Sequence, residues 1–382
     1  MCILVRRDDV YIVSYQSSPP QIGQARKSSA QMVEPTDIPE NDLLALSSDV
    51  LRVLLKDHSV SHHFKAERNI FWATADYESL GEGYGYLDPI TPERITGEHG
   101  LLIQPRAKKS REVQQQRVQE KAEVFTPAWI CNKQNNLVDS AWFGREHVFN
   151  TEIDDCDGHT WRTNNEKIQF PDSKGKSWEE YVCAPRLEVA CGEAPYLTSR
   201  YDAVTCDGVI PVRERIGLLD RKLRIVGEHT TASDEWLVWA FNALHATYGF
   251  EWQGDNLLLA REAVLYTFME HYEEKFHQSI DKKTLENAAY IISWNLWQMD
   301  GVKCVVPLSC EWAAPEEPSL SLFEDEPKRM ECPACKKDTQ TGHIGIHCEV
   351  VEWRKVTEKE PHRTGSKRNV FYYPNISISL KR

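Results

Sequence analysis

Two groupings of residues in the 382-residue sequence are of types that do chemistry. Near the C-terminus, Cys332 and Cys335 stand two residues apart and are followed by His343, His347 and Cys348. A Cys-x-x-Cys pair is the bite that chelates zinc, and a second pair of donors drawn from the His and Cys residues would close a tetrahedron. The spacing is shorter than that of common zinc modules, so structural zinc and unligated thiols in a polar tail both stay open. The second grouping is spread along the middle of the chain. Leu187-Glu188-Val189-Ala190-Cys191-Gly192 ends an apolar run in small residues, which let a ligand approach the backbone at the C-terminal edge of a sheet. Glu251 ends the run Tyr248-Gly249-Phe250 and precedes Trp252. A carboxylate there can accept both hydroxyl hydrogens of a ribose. Asn295 and Asp300 bracket Leu296-Trp297-Gln298-Met299 and offer amide and carboxylate groups to an adenine edge, with Trp297 as a stacking wall or as core. Phe125-Thr126-Pro127 reads as a helix start, with Thr126 as cap and Pro127 in the first turn, and its free amides would suit an anionic carboxylate. Each segment has a plain structural alternative: a tight turn at Gly192, a solvated strand end at Glu251, an ordinary helix start at Thr126.

These residues can meet only if the intervening elements carry them to one edge. From Val124 to about Pro307, short apolar runs alternate with longer helical patterns, which predicts an α/β core. Upstream, Leu43, Leu44, Leu46, Val50, Leu51, Val53, Leu54 and Leu55 predict a short apolar helix, and residues 69–74 read as a buried strand. Gly81, Gly83 and Gly85 mark a loop without the strand-before, helix-after setting of a dinucleotide site. The first forty residues mix Ser, Pro and Gln and are expected to be extended or weakly ordered. Between Gln104 and Lys121, the residues Arg106, Lys108, Lys109, Arg111, Arg117 and Lys121 face only Glu112 and Glu120, so this stretch is expected to be a solvated helix face or a contact for a DNA backbone. Pro315, Glu316, Glu317, Pro318, Glu324, Asp325, Glu326 and Pro327 form a linker. The chain therefore divides into a weakly ordered N-terminal segment (1–41), a mainly helical N-terminal region (42–115), the α/β core (116–312), and a linker with a small Cys/His-containing tail (313–382).

With 41% hydrophobic and 27% charged residues, the composition is that of an ordinary globular chain. No stretch approaches the roughly 18 uncharged apolar residues of a membrane span, and the N-terminus runs from Met1 into Arg6, Arg7, Asp8 and Asp9 without a secretory apolar core, so a cytoplasmic location is expected. The 11 cysteines lack a framework-like spacing and are read as reduced thiols. A formal net charge of −13 opposes indiscriminate adsorption to nucleic acid, so DNA contact would need a local basic face or a partner subunit.

Taken in order, these segments resemble the cofactor half of the DNA N6-adenine methyltransferases of restriction-modification systems, in particular restriction endonuclease or modification subunit M. Phe125-Thr126-Pro127 resembles the family's Phe-Thr-Pro segment, and Leu187 to Gly192 resembles its Leu-Glu-Pro-Ala-Cys-Gly cofactor loop. Glu251 stands where the family places its ribose-binding acid, and Asn295 to Asp300 where its adenine-contacting segment is expected. Leu54-Leu55-Lys56-Asp57 and residues 69–74 resemble the N-terminal region of such subunits, so the likeness runs from about residue 42 to 310. The resemblance implies a Rossmann-like, S-adenosylmethionine-dependent methyltransferase core with a helical N-terminal region and a small C-terminal tail. It implies cofactor contacts from Phe125, Thr126, Pro127, Glu188, Ala190, Cys191, Gly192, Glu251, Trp252, Asn295 and Asp300. It further implies double-stranded DNA as substrate, a specificity or restriction subunit as partner, and a role in DNA methylation or anti-phage defence.

The sequence also departs from the family. Ala194 and Pro195 replace the usual glycine and asparagine of the cofactor loop, and about sixty residues separate that loop from Glu251. The Asn/Asp-Pro-Pro-Tyr/Phe tetrapeptide that holds the target adenine is not found; Tyr372-Tyr373-Pro374-Asn375 has similar residues in another order. No catalytic residue is assigned for that reason. The alternative the sequence leaves open is a catalytically incomplete, methyltransferase-like subunit that binds DNA or assembles with a partner chain.

Overall fold

The computed structural model describes residues 2–5, 10–12, 39–109, 114, 117, 126–156, 158–206, 208–314, 329–351, 353 and 370–372. After two N-terminal strands, β1 (Cys2–Val5) and β2 (Val10–Ile12), come three short helices, α1 (Glu40–Leu46), α2 (Ser48–Leu55) and α3 (His58–Phe64), the last two capped by side chains. The Ser47 hydroxyl accepts the amide of Val50, and the Asp57 carboxylate accepts that of Val60 at 2.9 Å, each satisfying a backbone donor the helix start leaves open. Leu43, Val50, Leu51, Leu54 and Leu55 are buried as one apolar stripe. After α4 (Pro92–Ile95) come α5 (Ala128–Phe143), the antiparallel hairpin of β3 (Asn150–Asp155) and β4 (Gly158–Thr163), and α6 (Trp178–Val182), which opens on a capping box made by Ser177 and Glu180.

The central sheet has the strand order β2-β1-β5-β6-β7, in which β5 is Arg186–Val189, β6 is Thr247–Glu251 and β7 is Leu296–Gln298. Its three parallel strands are β5, β6 and β7, with Glu188 opposite Gly249 and Glu251 opposite Gln298. Helices α7 (Leu218–His229) and α8 (Ser233–His245) lie between β5 and β6 in sequence, and α9 (Gly254–Phe276) and α10 (Lys282–Asn295) between β6 and β7. Such connections are what parallel strands require. Residues of α9 from Gly254 to Leu265 are all buried, so this helix is enclosed rather than amphipathic. At the other edge, β1 (Cys2–Val5) pairs antiparallel with β5 and with β2 (Val10–Ile12). Beyond the sheet lie α11 (Ser309–Trp312), α12 (Pro333–Lys336) and the pair β8 (Glu349–Val351) and β9 (Val370–Tyr372). The fold is thus mixed α/β, mostly helical with small sheets. Among the described residues, no helix is long and apolar enough to cross a membrane.

Three sequence expectations meet a different structure. Residues 70–74 are buried, but the 69–74 run joins no sheet: Asn69 and Phe71 make only isolated antiparallel bridges to Lys56 and Pro89, and Ala73 turns through left-handed backbone (φ 51°). Their backbone partners are loops, the end of α2 and the start of α9: the amide of Ile70 donates to Leu55, that of Trp72 to Asp88, that of Ala73 to Tyr86, and the carbonyl of Trp72 accepts the amide of Gly254. Once those groups are satisfied, nothing requires a neighbouring strand. Within the first forty residues, Cys2–Val5 and Val10–Ile12 extend the sheet, a pairing that their short apolar runs, interrupted by charge, do not announce. In the 104–121 stretch Arg106–Lys108 is a short turn, and Gln114 and Arg117 are helical as expected, but Arg117 is buried rather than solvated. The proposed linker at 315–327 lies outside the described residues.

Candidate functional site

The C-terminal tips of β5, β6 and β7 form one rim. After β5 the chain turns through left-handed backbone at Ala190 (φ 50°), Gly192 (φ 53°) and Ala194 (φ 60°), and the amide of Cys191 is tied to the carbonyl of Phe250 on β6 at 2.9 Å. Two of these three residues carry a Cβ that resists that conformation, so the loop is held by its surroundings. The holding groups are carboxylates. Glu251, at the end of β6, accepts the amide of Gly192 at 2.8 Å and that of Gln253 at 3.3 Å. Glu188 accepts the amides of Tyr196 at 3.3 Å and Leu197 at 3.1 Å, and burial pushes its carboxyl up to about 8 despite those donors. Glu193 accepts the amide of Arg106 at 2.6 Å and the hydroxyl of Tyr201 at 2.6 Å, which lays the 105–109 segment against the loop. Burial raises the Cys191 thiol well above its ordinary value, and its sulfur packs over the backbone of Gly249.

The sequence-derived residues distribute unevenly around this rim. Glu188, Ala190, Cys191, Gly192 and Glu251 are together on β5, β6 and the intervening loop. Trp252 follows, with its indole N–H donated to the Tyr86 hydroxyl at 2.8 Å. Asp300 follows β7 and accepts the amides of Val302 at 3.0 Å and Lys303 at 3.1 Å. Asn295 does not reach the rim. It precedes β7 at the opposite end of the sheet, where its amide donates to the carbonyls of Leu244 and Thr247 and its oxygen accepts the indole N–H of Trp353. Pro127, not Thr126, is the residue before α5, and the amide of Ala128 is taken by the Asp202 carboxylate at 2.7 Å. The anion at this helix start is therefore the chain's own. Phe125 lies outside the described residues.

A second charged cluster stands at the start of α9, just beyond Glu251. Asp255 is fully buried and accepts from Tyr77 at 2.9 Å, Arg117 at 2.5 Å and Lys109 at 3.2 Å, while Arg117 also donates to Asp76 at 2.6 Å. Burial alone would raise the Asp255 carboxyl, but the Lys109 and Arg117 cations hold it well below the usual range. Two of the basic residues that the sequence offers to DNA are thus turned inward.

In the tail, the donor atoms of Cys310, Cys332, Cys335 and His343 lie within 4.8 Å of one another, a group able to hold a metal ion. His343 Nδ1 is 3.6 Å from Cys310 Sγ, 3.7 Å from Cys332 Sγ and 3.4 Å from Cys335 Sγ. A tetrahedron with Zn–S of about 2.3 Å and Zn–N of about 2.0 Å puts N and S about 3.5 Å apart. His343 Nε2 lies 2.9 Å from the carbonyl of Thr339, which can only accept, so the proton belongs on Nε2 and the Nδ1 lone pair faces the sulfurs. Burial would raise the Cys332 thiol, but the amides of Cys335, Ile344 and Ala334 and the His343 ring point at its sulfur and hold it down. The ligand set differs from the one the spacing suggests. His347 instead faces the carbonyl of His343 at 3.1 Å and Cys348 that of Gln298 at 3.6 Å, while Cys310 arrives from before the linker. No spacing rule finds a donor 22 residues upstream of Cys332. The close-approach signal is Gly345, where a Cβ would stand 3.0 Å from Cys310 Sγ and 2.8 Å from its amide.

Comparison with protein-family models, curated proteins and solved structures finds no match for this chain.

Proposed function

We propose that this chain is an S-adenosylmethionine-binding subunit of the DNA N6-adenine methyltransferase type, with a Rossmann-like core, acting in a restriction-modification or related anti-phage system. The observation that supports it is the hydrogen bond between Gly192 and Glu251. It joins the small-residue loop after β5 to the acid at the tip of β6, at the C-terminal edge of neighbouring parallel strands, where open α/β sheets take nucleotides. The residues fit the group in kind. Glu251 is a carboxylate at the strand tip, held there by the amides of Gly192 and Gln253. Glu251 would take the ribose hydroxyls, and the backbone around Gly192 would pass the methionine portion. Asp300 is the polar group on the β7 side of the same rim. The cofactor, when bound, supplies a methyl group on a sulfonium. The second cofactor in this reading is zinc in the Cys3His group, because soft thiolates with one imidazole select it.

Isothermal titration tests the reading. Saturable binding of S-adenosylmethionine, displaced by S-adenosylhomocysteine, is expected; absence of heat and of competition at millimolar ligand rejects it. A second reading, a methyltransferase-like subunit that needs a partner chain for catalysis, is favoured by the missing Asn/Asp-Pro-Pro-Tyr/Phe tetrapeptide and the formal charge of −13. Mixed-sequence duplex DNA and methyl-labelled cofactor separate the two, since transfer of label by the chain alone removes the incomplete reading.

A further inference from the structure

The tail reaches the end of β7 through backbone, and the Cys3His group lies at the fold of that path. Val305 bridges antiparallel to Asp300 on one side and to His347 on the other, so three short segments run side by side beyond β7. The amide of Val306 donates to Ile346 at 2.8 Å, that of Ile346 to the Ser309 hydroxyl at 2.9 Å, and that of Asp300 to Val305 at 2.8 Å. Cys348 and Glu349 then reach back onto β7, the thiol toward the carbonyl of Gln298 and the carbonyl of Glu349 accepting the indole N–H of Trp297 at 2.8 Å. Gln298 in turn clamps both the amide and the carbonyl of Phe71 and the carbonyl of Trp252, next to Glu251.

Among the described residues, little apolar packing surrounds the four donors themselves. Their buried cluster is Val305, Cys310, Cys332 and Ala334, with Ile344 beside it, far less than an independent core needs. Three thiolates around a divalent cation leave one negative charge, and the Lys303 ammonium lies beside the Cys335 sulfur and 3.8 Å from Asp300. All four positions are filled by protein donors, which is the arrangement of a structural rather than a catalytic ion.

We infer that one zinc ion, held by Cys310 Sγ, Cys332 Sγ, Cys335 Sγ and His343 Nδ1, is the joint that seats residues 300–312 and 343–349 on the end of β7, so that metal occupancy sets the order of the Asp300 side of the rim. This rests on the zinc reading above and not on the identity of the ligand at the rim. The ion adds folding energy where the cluster around the four donors is small, beside the packing of Val306, Ile346 and Cys348 in the cluster of Phe71, Phe250 and Trp297.

The test combines zinc content per chain with amide hydrogen exchange on the full chain, before and after chelation. One zinc per chain is expected for the wild type, retained in His347→Ala and lost in Cys310→Ser and Cys332→Ser. Cobalt(II) in place of zinc should give the tetrahedral visible bands and sulfur charge-transfer absorption of a three-thiolate site, a readout that needs no variant to fold. Stripping the metal should speed exchange at Asp300, Val306, Ile346 and Cys348 about tenfold or more, while the middle of α9 stays protected. A wild type without metal overturns the zinc reading itself. A metal-loaded protein whose 300–306 and 346–349 amides do not respond to stripping keeps the zinc and overturns the joint, and loss of metal in His347→Ala with retention in Cys310→Ser overturns the ligand set.

Discussion

Acidic side chains organise the tips of the parallel strands by accepting main-chain amides: Glu188 from Tyr196 and Leu197, Glu193 from Arg106, Glu251 from Gly192 and Gln253, Asp300 from Val302 and Lys303. Replacing Glu251 by Gln keeps the volume but turns one acceptor oxygen into a donor, leaving either the Gly192 or the Gln253 amide unpaired at a site that is 7% exposed. The expected cost is about 1.5–3 kcal/mol, read as a lower urea midpoint at unchanged slope, together with at least a roughly tenfold loss of S-adenosylmethionine affinity, which is about 1.4 kcal/mol. An unchanged midpoint would show that the carboxylate is not the clasp. At this scale the sequence is informative where a residue's position along a strand decides its role. Gly192 and Glu251 end apolar runs and meet, whereas Asn295 begins one and is carried to the far end of the sheet. Cys310 was illegible because its partnership with Cys332 is made by a fold across the intervening chain and not by a spacing.

Elements were legible in proportion to how far local pattern decided them. The short runs at β5 and β6 are parallel strands, and their charged residues Arg186, Glu188 and Glu251 are buried along with the apolar ones. The 69–74 run has the same look, yet its backbone is claimed by Leu55, Asp88, Tyr86 and Gly254, none of which lies in a strand. That docking is specific enough to fix a residue type. At Gly254, the first residue of α9, a Cβ would stand 2.1 Å from the carbonyl oxygen of Phe71, an atom that Gln298 also holds. Helix propensity favours alanine over glycine by about 1 kcal/mol, but the displaced backbone costs about 1–3 kcal/mol as overpacking does, and here the clash is with main chain rather than with a side chain that can swing away. Gly254→Ala is therefore expected to lower the midpoint of thermal unfolding and to speed hydrogen exchange at Phe71 and Trp72. A raised midpoint would mean that the segment is not pinned there.

Across the whole molecule, buried ionisable groups pull the stability in opposite directions with pH. Burial raises Glu188 from 4.5 to about 8 and Asp57 from 3.8 to about 6, so each stabilises the fold fully below its unfolded value and loses that contribution as pH rises through its folded one. Burial lowers His245 from 6.5 to about 3 and Lys222 well below 10.5, so these contribute above their unfolded values and lose it as pH falls. Glu188 loses its contribution as pH rises from 4.5 through about 8, whereas Lys222 gains one as pH rises toward 10.5, so the two slopes are of opposite sign and oppose one another wherever they overlap. The net charge of −13 adds a self-repulsion that grows with pH and is screened by salt. The component is isolated by difference. Glu188→Gln cannot ionise, so whatever constant offset its amide brings, its stability relative to wild type should rise between pH 4.5 and 8 and level off above. At about 1.4 kcal/mol per pKa unit the rise is on the order of a few kcal/mol. Urea unfolding of both proteins from pH 5 to 9 at fixed ionic strength measures it. A difference that stays flat over that range would mean that Glu188 is already ionised at neutral pH, and that the Tyr196 and Leu197 amides, rather than burial, set its charge.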